Sequence, residues 1–319
     1  MPRRRAILKG ILLASVGAHI GKTGAQDGER SAAERYARLQ RALLAGSGLQ
    51  CSERDVLLPS SSLRAHVVEA GSGPPLLLVH GGNGVGAQWL PLMTRLAGRR
   101  LIVPDRPGCG LTDPFLYDGV DLRAHGALFV EEVLDALDVE RASIVGNSMG
   151  GYFALCFALA HPHRVEKLVL AGGPAASAGF EPLPAEAIEA IVRGSRQPGR
   201  AGLARLVADP NRVPGDLVEL LDAALALPGS EESWRSIWRS LRPDRTTLAL
   251  HPELERLPTP TLLIWGEEDR VDPPQPVATA IADRLPNARL VRLADAGHLP
   301  WLDKPDECAT LVEDFLAKV

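Results

Sequence analysis

The sequence predicts an α/β fold built on a mostly parallel β-sheet. Short apolar runs alternate with amphipathic helical stretches along most of the 319 residues, which is the arrangement that covers a parallel sheet with helices on both faces. Tight glycine-rich turns follow several of these runs. The alternation stops once, over residues 175–257, where helical stretches occur without a convincing strand. We therefore expect an eight-stranded, mostly parallel sheet with a helical lid inserted after the sixth strand.

Residues 1–25 have the three-part plan of an export signal. A positive cluster at Arg3–Arg5 precedes a modestly apolar stretch, and small residues end the segment at Ala25. Two arginines followed by Ile7 and Leu8 are similar to a twin-arginine signal. A mis-assigned start codon or a disordered basic tail would also explain the pattern. If the signal is used, the protein is exported to the periplasm or beyond; otherwise it is cytoplasmic.

The composition of the chain indicates which classes of binding partner to expect. The net charge is −4, and no basic stripe with interleaved aromatic residues occurs, so nucleic acid is not an expected partner. No long apolar segment follows the export segment, so we expect no stable membrane insertion after its removal. The four cysteines have no metal-ligand spacing, which predicts reduced thiols, although one pairing remains open. We expect a small-molecule substrate, no metal and no cofactor; the oligomeric state stays open.

The elements before the core are a helix and a hairpin. Residues 26–50 form the predicted leading helix, because Ser31 and Glu34 have capping-box spacing and apolar residues then recur at helical intervals. The runs 56–58 and 63–68 predict two strands of a hairpin.

The predicted core comprises residues 51–174 and 258–319. Pro75 to Val79 is fully apolar, as expected of a central parallel strand. Further strands are predicted at 101–103, 141–145, 165–170, 261–265 and 289–293. Four helices are predicted in this core. Two cover residues 88–96 and 121–138, a third directly follows the serine turn described next, and the last lies at the C-terminus.

A G-x-S-x-G turn lies between the strand ending at Val145 and an apolar helical stretch. This pattern places a serine, here Ser148, on a sharp strand-to-helix turn with its hydroxyl above the sheet edge. Gly146 and Gly150 provide the small neighbours that such a crowded turn needs. An ordinary glycine-rich turn is the alternative interpretation.

Two later loops provide a base and an acid for Ser148. A serine hydroxyl is a weak nucleophile until a histidine, oriented by a carboxylate, removes its proton. Asp269 follows one predicted strand and His298 follows the next, in the chain order Ser, Asp, His expected for this turn. Because the carboxyl ends of parallel strands share one sheet edge, these side chains should meet there. Glu267, Glu268 and Asp272 are rivals of Asp269, and His298 alone would be compatible with a surface histidine.

Two backbone N–H groups complete the predicted site. One belongs to Met149, directly after the serine, and the other to Gly82, in the glycine-rich loop after the Pro75–Val79 strand. A merely flexible loop is the alternative for the second. Trp89 and Trp301, near these motifs in sequence, are candidate substrate-binding residues.

These motifs resemble the α/β-hydrolase fold family from about Cys51 to the C-terminus. The similarity rests on His80-Gly81-Gly82, the turn 105–110, the serine turn, Gly266 to Asp269, and Gly297-His298. The segment from Asn147 to Gly151 is similar to the nucleophile turn of carbon–carbon bond hydrolases of ring-fission products. Those enzymes typically carry tryptophan after the catalytic histidine, where this chain has Leu299. Epoxide hydrolases and haloalkane dehalogenases have aspartate where this chain has Ser148.

The sequence thus predicts a serine hydrolase acting on a small or medium, largely apolar carbonyl substrate, with a carboxylic ester as first choice. A carbon–carbon bond hydrolase and a cofactor-free perhydrolase remain alternatives within the same family. A non-catalytic small-molecule binder on the same fold is the alternative from a different class, because fold alone does not fix function.

Overall fold

The computed structural model describes residues 22–173, 184–241, 251–272 and 274–317. Within them one eight-stranded sheet forms, so the predicted fold class and strand number are confirmed. The predicted export segment lies outside the described residues up to position 21. Helical backbone already begins at Lys22, ahead of the predicted cleavage point.

Eight strands make the sheet, in the spatial order β1-β2-β4-β3-β5-β6-β7-β8. Their bounds are β1 Cys51–Leu58, β2 Leu63–Ala70, β3 Pro75–Val79, β4 Arg100–Pro104, β5 Ala142–Gly146, β6 Val165–Ala171, β7 Thr261–Gly266 and β8 Ala288–Leu293. β1 pairs antiparallel with β2, and β2 with β4, whereas the pairs from β4 through β8 are parallel. The parallel strands therefore present their carboxyl ends at one edge.

Twelve α-helices are described. Their bounds are α1 Lys22–Gly46, α2 Leu90–Met93, α3 Leu122–Ala136, α4 Met149–Ala160, α5 Ala185–Ser195, α6 Gly199–Leu203, α7 Gly215–Leu225, α8 Ser230–Ser240, α9 His251–Leu254, α10 Pro274–Arg284, α11 Pro300–Asp303 and α12 Pro305–Ala317. The helix predicted over 88–96 is much shorter than expected. A 3-10 turn, Gly86–Trp89, precedes α2 because Pro91 lacks an N–H and fits only a first helical turn.

Helix α4 carries the serine turn and lies between the sheet and α3. Its residues from Met149 to Ala158 are all buried, which explains why this stretch is apolar on every side. Gly126 of α3 permits the close contact, since a Cβ there would lie 2.5 Å from Cδ1 of Phe153. This packing fixes the start of α4 relative to the sheet edge.

The described residues of the predicted lid, 175–257, form helices α5 to α9 after β6 and contain no strand. Helix α1 packs against α7 of this lid, and Arg35 pairs with Glu219 at 3.2 Å. Tyr36 of α1 is fully buried and donates to Gln40, which in turn donates to Glu53 of β1. The leading helix therefore connects the first strand with the lid, a contact that helical periodicity did not predict.

All four cysteines are free, as expected, and burial raises the pKa of the Cys156 thiol to about 12. Within the described ranges, no helix combines the length and apolar character required to cross a bilayer. The same ranges contain no cluster of His, Cys, Asp and Glu suited to a metal ion.

Candidate active site

Ser148 occupies a strained turn between β5 and α4. Its backbone has φ 50° and ψ −122°, a region that non-glycine residues rarely adopt. The turn also requires glycine at neighbouring positions, because a side chain there would overlap backbone atoms. A Cβ at Gly146 would lie 2.7 Å from Gly150 O, and one at Gly150 would lie 2.2 Å from Val79 O. The glycines of G-x-S-x-G therefore permit the close backbone contacts that hold the serine at the end of the central strands.

His298 and Asp269 form a buried pair. His298 Nδ1 lies 2.8 Å from Asp269 Oδ2, and each residue is 3% exposed. The other carboxylate oxygen, Oδ1, accepts from the N–H groups of Val271 and Asp272 at 2.9 and 2.8 Å. The two rival glutamates, residues 267 and 268, are exposed. The structure therefore brings Asp269, rather than its neighbours, to the histidine.

Asn147 connects the serine turn to the histidine loop. Its Nδ2 donates to Ala171 O at 2.7 Å and to His298 O at 3.0 Å. A Cβ at Gly172 would lie 2.3 Å from the same His298 oxygen, so the loops are in direct backbone contact. In the sequence, Asn147 contributed only to the similarity with carbon–carbon bond hydrolases. Its anchoring role depends on contacts across 24 and 151 residues and has no local sequence signal.

The loop after β3 is held by a buried histidine and arginine. Arg106 donates from Nε to His80 O at 2.9 Å and from Nη2 to Gly81 O at 2.8 Å. His80 Nδ1 donates to Gly81 O, and Nε2 accepts from the Arg106 N–H. Burial, together with the Arg106 charge, holds the pKa of His80 well below its ordinary value. A neutral His80 and a charged Arg106 thus fix the backbone that leads to Gly82.

Gly82 and Met149 both line the cavity that Ser148 and His298 also line. Met149 is the first residue of α4, so its N–H has no acceptor within the helix. Within the described residues, neither N–H makes a hydrogen bond to the protein. Both residues with a predicted donor N–H therefore line the same cavity as Ser148, and the Met149 N–H lies at the positive end of the α4 dipole.

Trp89 and Trp301 are not in the cavity, so the prediction that they bind substrate is corrected. Both are 0% exposed, and their rings stack on each other with centroids 3.8 Å apart. Trp301 Nε1 also donates to Gln88 O at 2.9 Å. Their large apolar surfaces are buried in the core where α11 meets the 3-10 turn, and neither ring lines the cavity.

The cavity above Ser148 has a volume of about 270 Å³. Lid residues form an apolar wall, which includes Leu221, Leu225, Trp234, Ile237, Trp238 and Leu241. Polar side chains close to the β3 loop are Asn83, Gln88 and Ser195, and Asn83 Nδ2 donates to Ser195 O at 3.0 Å. Among the described lining residues, Arg205 is the single permanent cation, and it is exposed. The sequence predicts a lid, but these contacts have no local sequence signal.

Ser148 on its strained turn, His298 and the two residues whose N–H groups have no acceptor among the described residues line one cavity at the carboxyl edge of the sheet, and the buried Asp269 lies against His298. This fold and site define a serine hydrolase of the α/β-hydrolase fold. The family model for the alpha/beta hydrolase family matches residues 76–311. The chain belongs to that family.

Relatives and solved structures agree with this classification. The chain is 35% identical over 272 residues to the 2-hydroxymuconate semialdehyde hydrolase of Pseudomonas sp. (strain CF600), covering 81% of this chain and 92% of the relative. A solved 2-hydroxy-6-oxo-6-phenylhexa-2,4-dienoate hydrolase from Rhodococcus sp. strain RHA1 is 25% identical with a TM-score of 0.73, covering 85% and 100% of the two chains. A bacterial membrane phospholipase A is 26% identical with a TM-score of 0.70, covering 92% and 94%.

Proposed function

We propose that Ser148 is the nucleophile of a two-step hydrolysis. His298 removes the hydroxyl proton, and Ser148 attacks a carbonyl carbon of the substrate. The N–H groups of Gly82 and Met149 hold the oxygen on which negative charge develops. Asp269 keeps the proton-bearing nitrogen of His298 directed at its carboxylate and stabilises the imidazolium. Water activated by the same histidine then releases the acyl group.

For the bond that is cleaved, we propose a carbon–carbon bond next to a ketone in a ring-fission product. The observation that carries this choice is the similarity to hydrolases named for such substrates across four fifths of the chain. An oxo-dienoate suits the mechanism once the proton of its 2-hydroxyl has moved to the carbon next to the ketone, which leaves a conjugated 2-keto group. That group accepts the electron pair of the broken bond as a dienolate, and His298 then returns its proton to this leaving fragment. This choice ranks ahead of the ester that the sequence alone favoured.

Ester hydrolysis is the second candidate, and the cavity itself favours it. A dienoate carries a carboxylate, for which the described lining offers only the exposed Arg205. Most of the lid wall is apolar, and Leu299 follows His298. An uncharged acyl ester needs no cation in the site, and its acyl chain would lie against the lid wall.

A substrate comparison distinguishes the two candidates. Purified protein is given a 2-hydroxy-6-oxo-6-phenyl dienoate, whose visible absorbance disappears on cleavage, and separately p-nitrophenyl esters of increasing acyl length. We expect the higher kcat/KM on the dienoate and no turnover of either substrate by Ser148→Ala. Turnover of esters alone would replace the first proposal by the second. Peroxide-dependent oxidation in the presence of a carboxylic acid would instead favour the perhydrolase alternative.

We also propose that residues 1–25 direct export. The basic cluster, short apolar stretch and small residues support this assignment. Fractionation followed by intact mass measurement tests it: a shortened protein is expected outside the cytoplasm. Full-length protein confined to the cytoplasm would contradict export without affecting the proposed chemistry.

A further inference from the structure

Asp303, the last residue of α11, is a buried carboxylate with no role in the chemistry above. It is 6% exposed, and no basic side chain among the described residues pairs with it. Both of its oxygens are instead occupied by backbone donors. Oδ1 accepts from the N–H groups of Ala208 and Asp209, each at 3.1 Å. Oδ2 accepts from Ala208 and Gly297, each at 2.9 Å.

These donors come from two different parts of the chain. Gly297 directly precedes His298, whereas Ala208 and Asp209 belong to the lid segment between α6 and α7. The residue on the other side of the histidine is also attached to this segment, since Leu299 N donates to Leu206 O at 2.8 Å. The backbone is therefore fixed to the lid both before and after His298.

The histidine loop and the lid segment are in direct backbone contact at Gly297. A Cβ at Gly297 would lie 2.8 Å from both Leu206 O and Val207 Cα. Leu206 and its neighbours Leu203 and Arg205 line the cavity, but Asp303 does not. A shift of the lid segment would thus be passed to the histidine through the backbone, and Asp303 is the side chain that joins the two.

Aspartate is the residue type that this position requires. Three N–H groups converge on one carboxylate, which offers about four lone-pair sites and no competing donor. An asparagine would direct its NH₂ group at a backbone N–H, so at least one bond would be lost and two donors would face each other. Bonds from backbone N–H groups to a charged carboxylate are about twice as strong as neutral ones.

We propose that Asp303 is a positioning residue, which holds His298 at its working distance from Ser148 and ties that position to the lid. The inference rests on the proposed role of His298 as the base. Because Asp303 touches neither the cavity nor the reacting atoms, its loss should lower kcat while KM stays nearly constant. A misplaced base of this kind costs about 100-fold in rate.

The test compares Asp303→Asn with Asp306→Asn, the same change three residues later at a carboxylate whose side chain is 83% exposed. Rates are counted per site labelled by a fluorophosphonate, so that inactive protein does not contribute. For D303N we expect a loss of about 10- to 100-fold in kcat with KM within about twofold, and for D306N wild-type values. Unchanged kcat, or a loss confined to KM, would overturn the proposal.

A second comparison asks whether Asp303 acts through the histidine. In a His298→Ala background, D303N should cause no further loss of the residual fluorophosphonate labelling rate, because the group it positions is already gone. Multiplicative losses would contradict that coupling. Asp303→Glu keeps the charge on a longer side chain and should restore part of the kcat lost in D303N. If neither D303N nor D303E folds, the proposal fails, because it requires positioning to be separable from folding.

The outcome is independent of which substrate is correct. If the wild-type protein cleaves neither the dienoate nor esters but still labels at Ser148, the proposed function fails. The labelling rates of wild type, D303N and D306N then continue to test the role of Asp303.

Discussion

Trp234 of the lid lies directly against Gly82 of the loop that follows β3. A Cβ at Gly82 would be 2.3 Å from Cζ3 and 2.6 Å from Cη2 of the indole ring. The indole is held in place, because its Nε1 donates to Ser195 Oγ at 2.8 Å. The lid therefore covers the backbone that we assign to the oxyanion, and the missing side chain at Gly82 makes this contact possible.

Gly82→Ala should disable the site without unfolding the protein. The added methyl group must displace either the indole or the loop, so the N–H of residue 82 moves from its working position. We expect kcat/KM to fall by about 100-fold or more, as when one oxyanion donor is lost. Gly215→Ala is the matched control, because a Cβ there meets nothing within 4 Å. Adding Trp234→Ala to G82A should recover part of the activity; if it recovers none, the clash is not the cause.

Trp234→Ala alone should lengthen the acyl group that the cavity accepts. The indole forms part of the apolar wall together with Trp238, whose ring lies edge-on at 5.3 Å. Its removal opens space above Ser148, so the profile of kcat/KM against acyl length should move to longer esters.

Trp301→Phe is the counterpart of that change outside the cavity. It removes the bond to Gln88 O and part of the stack on Trp89, which should lower the free energy of unfolding by about 1 kcal/mol or more. The acyl-length profile should stay unchanged. A changed profile in W301F would restore the original prediction that this residue contacts substrate.

Asp269→Asn should lower kcat on the order of 1,000-fold or more while the fold persists. The amide can still accept from Val271 and Asp272 through one oxygen, but it cannot accept the His298 Nδ1 proton with its NH₂ group. Stopped-flow or steady-state kinetics measure the loss, and circular dichroism checks the fold. Wild-type turnover in D269N would mean that another carboxylate orients the base.

Stability should decrease as the pH falls below about 6.5, the ordinary pKa of histidine. Burial, with a smaller contribution from the Arg106 charge, lowers the pKa of His125 to about 4. Between these two pKa values, His125 is protonated in the unfolded chain but neutral in the folded protein. Stability from the neutral ring is complete above pH 6.5 and is lost progressively down to pH 4, a loss of about 3 kcal/mol. His80, whose pKa is lowered for the same two reasons, acts in the same direction.

Urea unfolding between pH 7.5 and pH 4.5 measures this loss. His125→Phe should flatten the dependence, since the ring already stacks on Phe115 at 4.8 Å. His163→Asn, at an exposed position, should leave the dependence unaltered. An H125F protein with the full wild-type pH dependence would show that other groups cause it.

The parts of the site that sequence predicted are those encoded by local turn chemistry. Ser148 is recognisable because its strained backbone requires glycines two residues before and after it, within one short segment. His298 and Asp269 follow strand ends, so the parallel sheet itself brings them to the edge at which Ser148 lies. The lid could be located because strand periodicity stops at its first residues.

The remaining features depend on contacts that sequence distance conceals. Trp89 and Trp301 lie near the motifs along the chain, but proximity in sequence does not give side-chain direction, and both rings point into the core. Asn147 and Asp303 act through bonds to backbone groups of distant segments. The packing of α1 on α7 likewise depends on tertiary contacts, since an amphipathic helix shows only which face is buried and not against what.

Intact mass measurement after fluorophosphonate treatment tests the central claim most directly. Wild-type protein should gain the mass of a single adduct, and peptide mapping should place it on Ser148. Ser148→Ala should gain none and should keep the wild-type Tm to within a few degrees. An adduct on another residue, persistent labelling of S148A, or no labelling of folded wild-type protein would contradict the assignment of Ser148 as the nucleophile, and the last result would favour a binder on this fold.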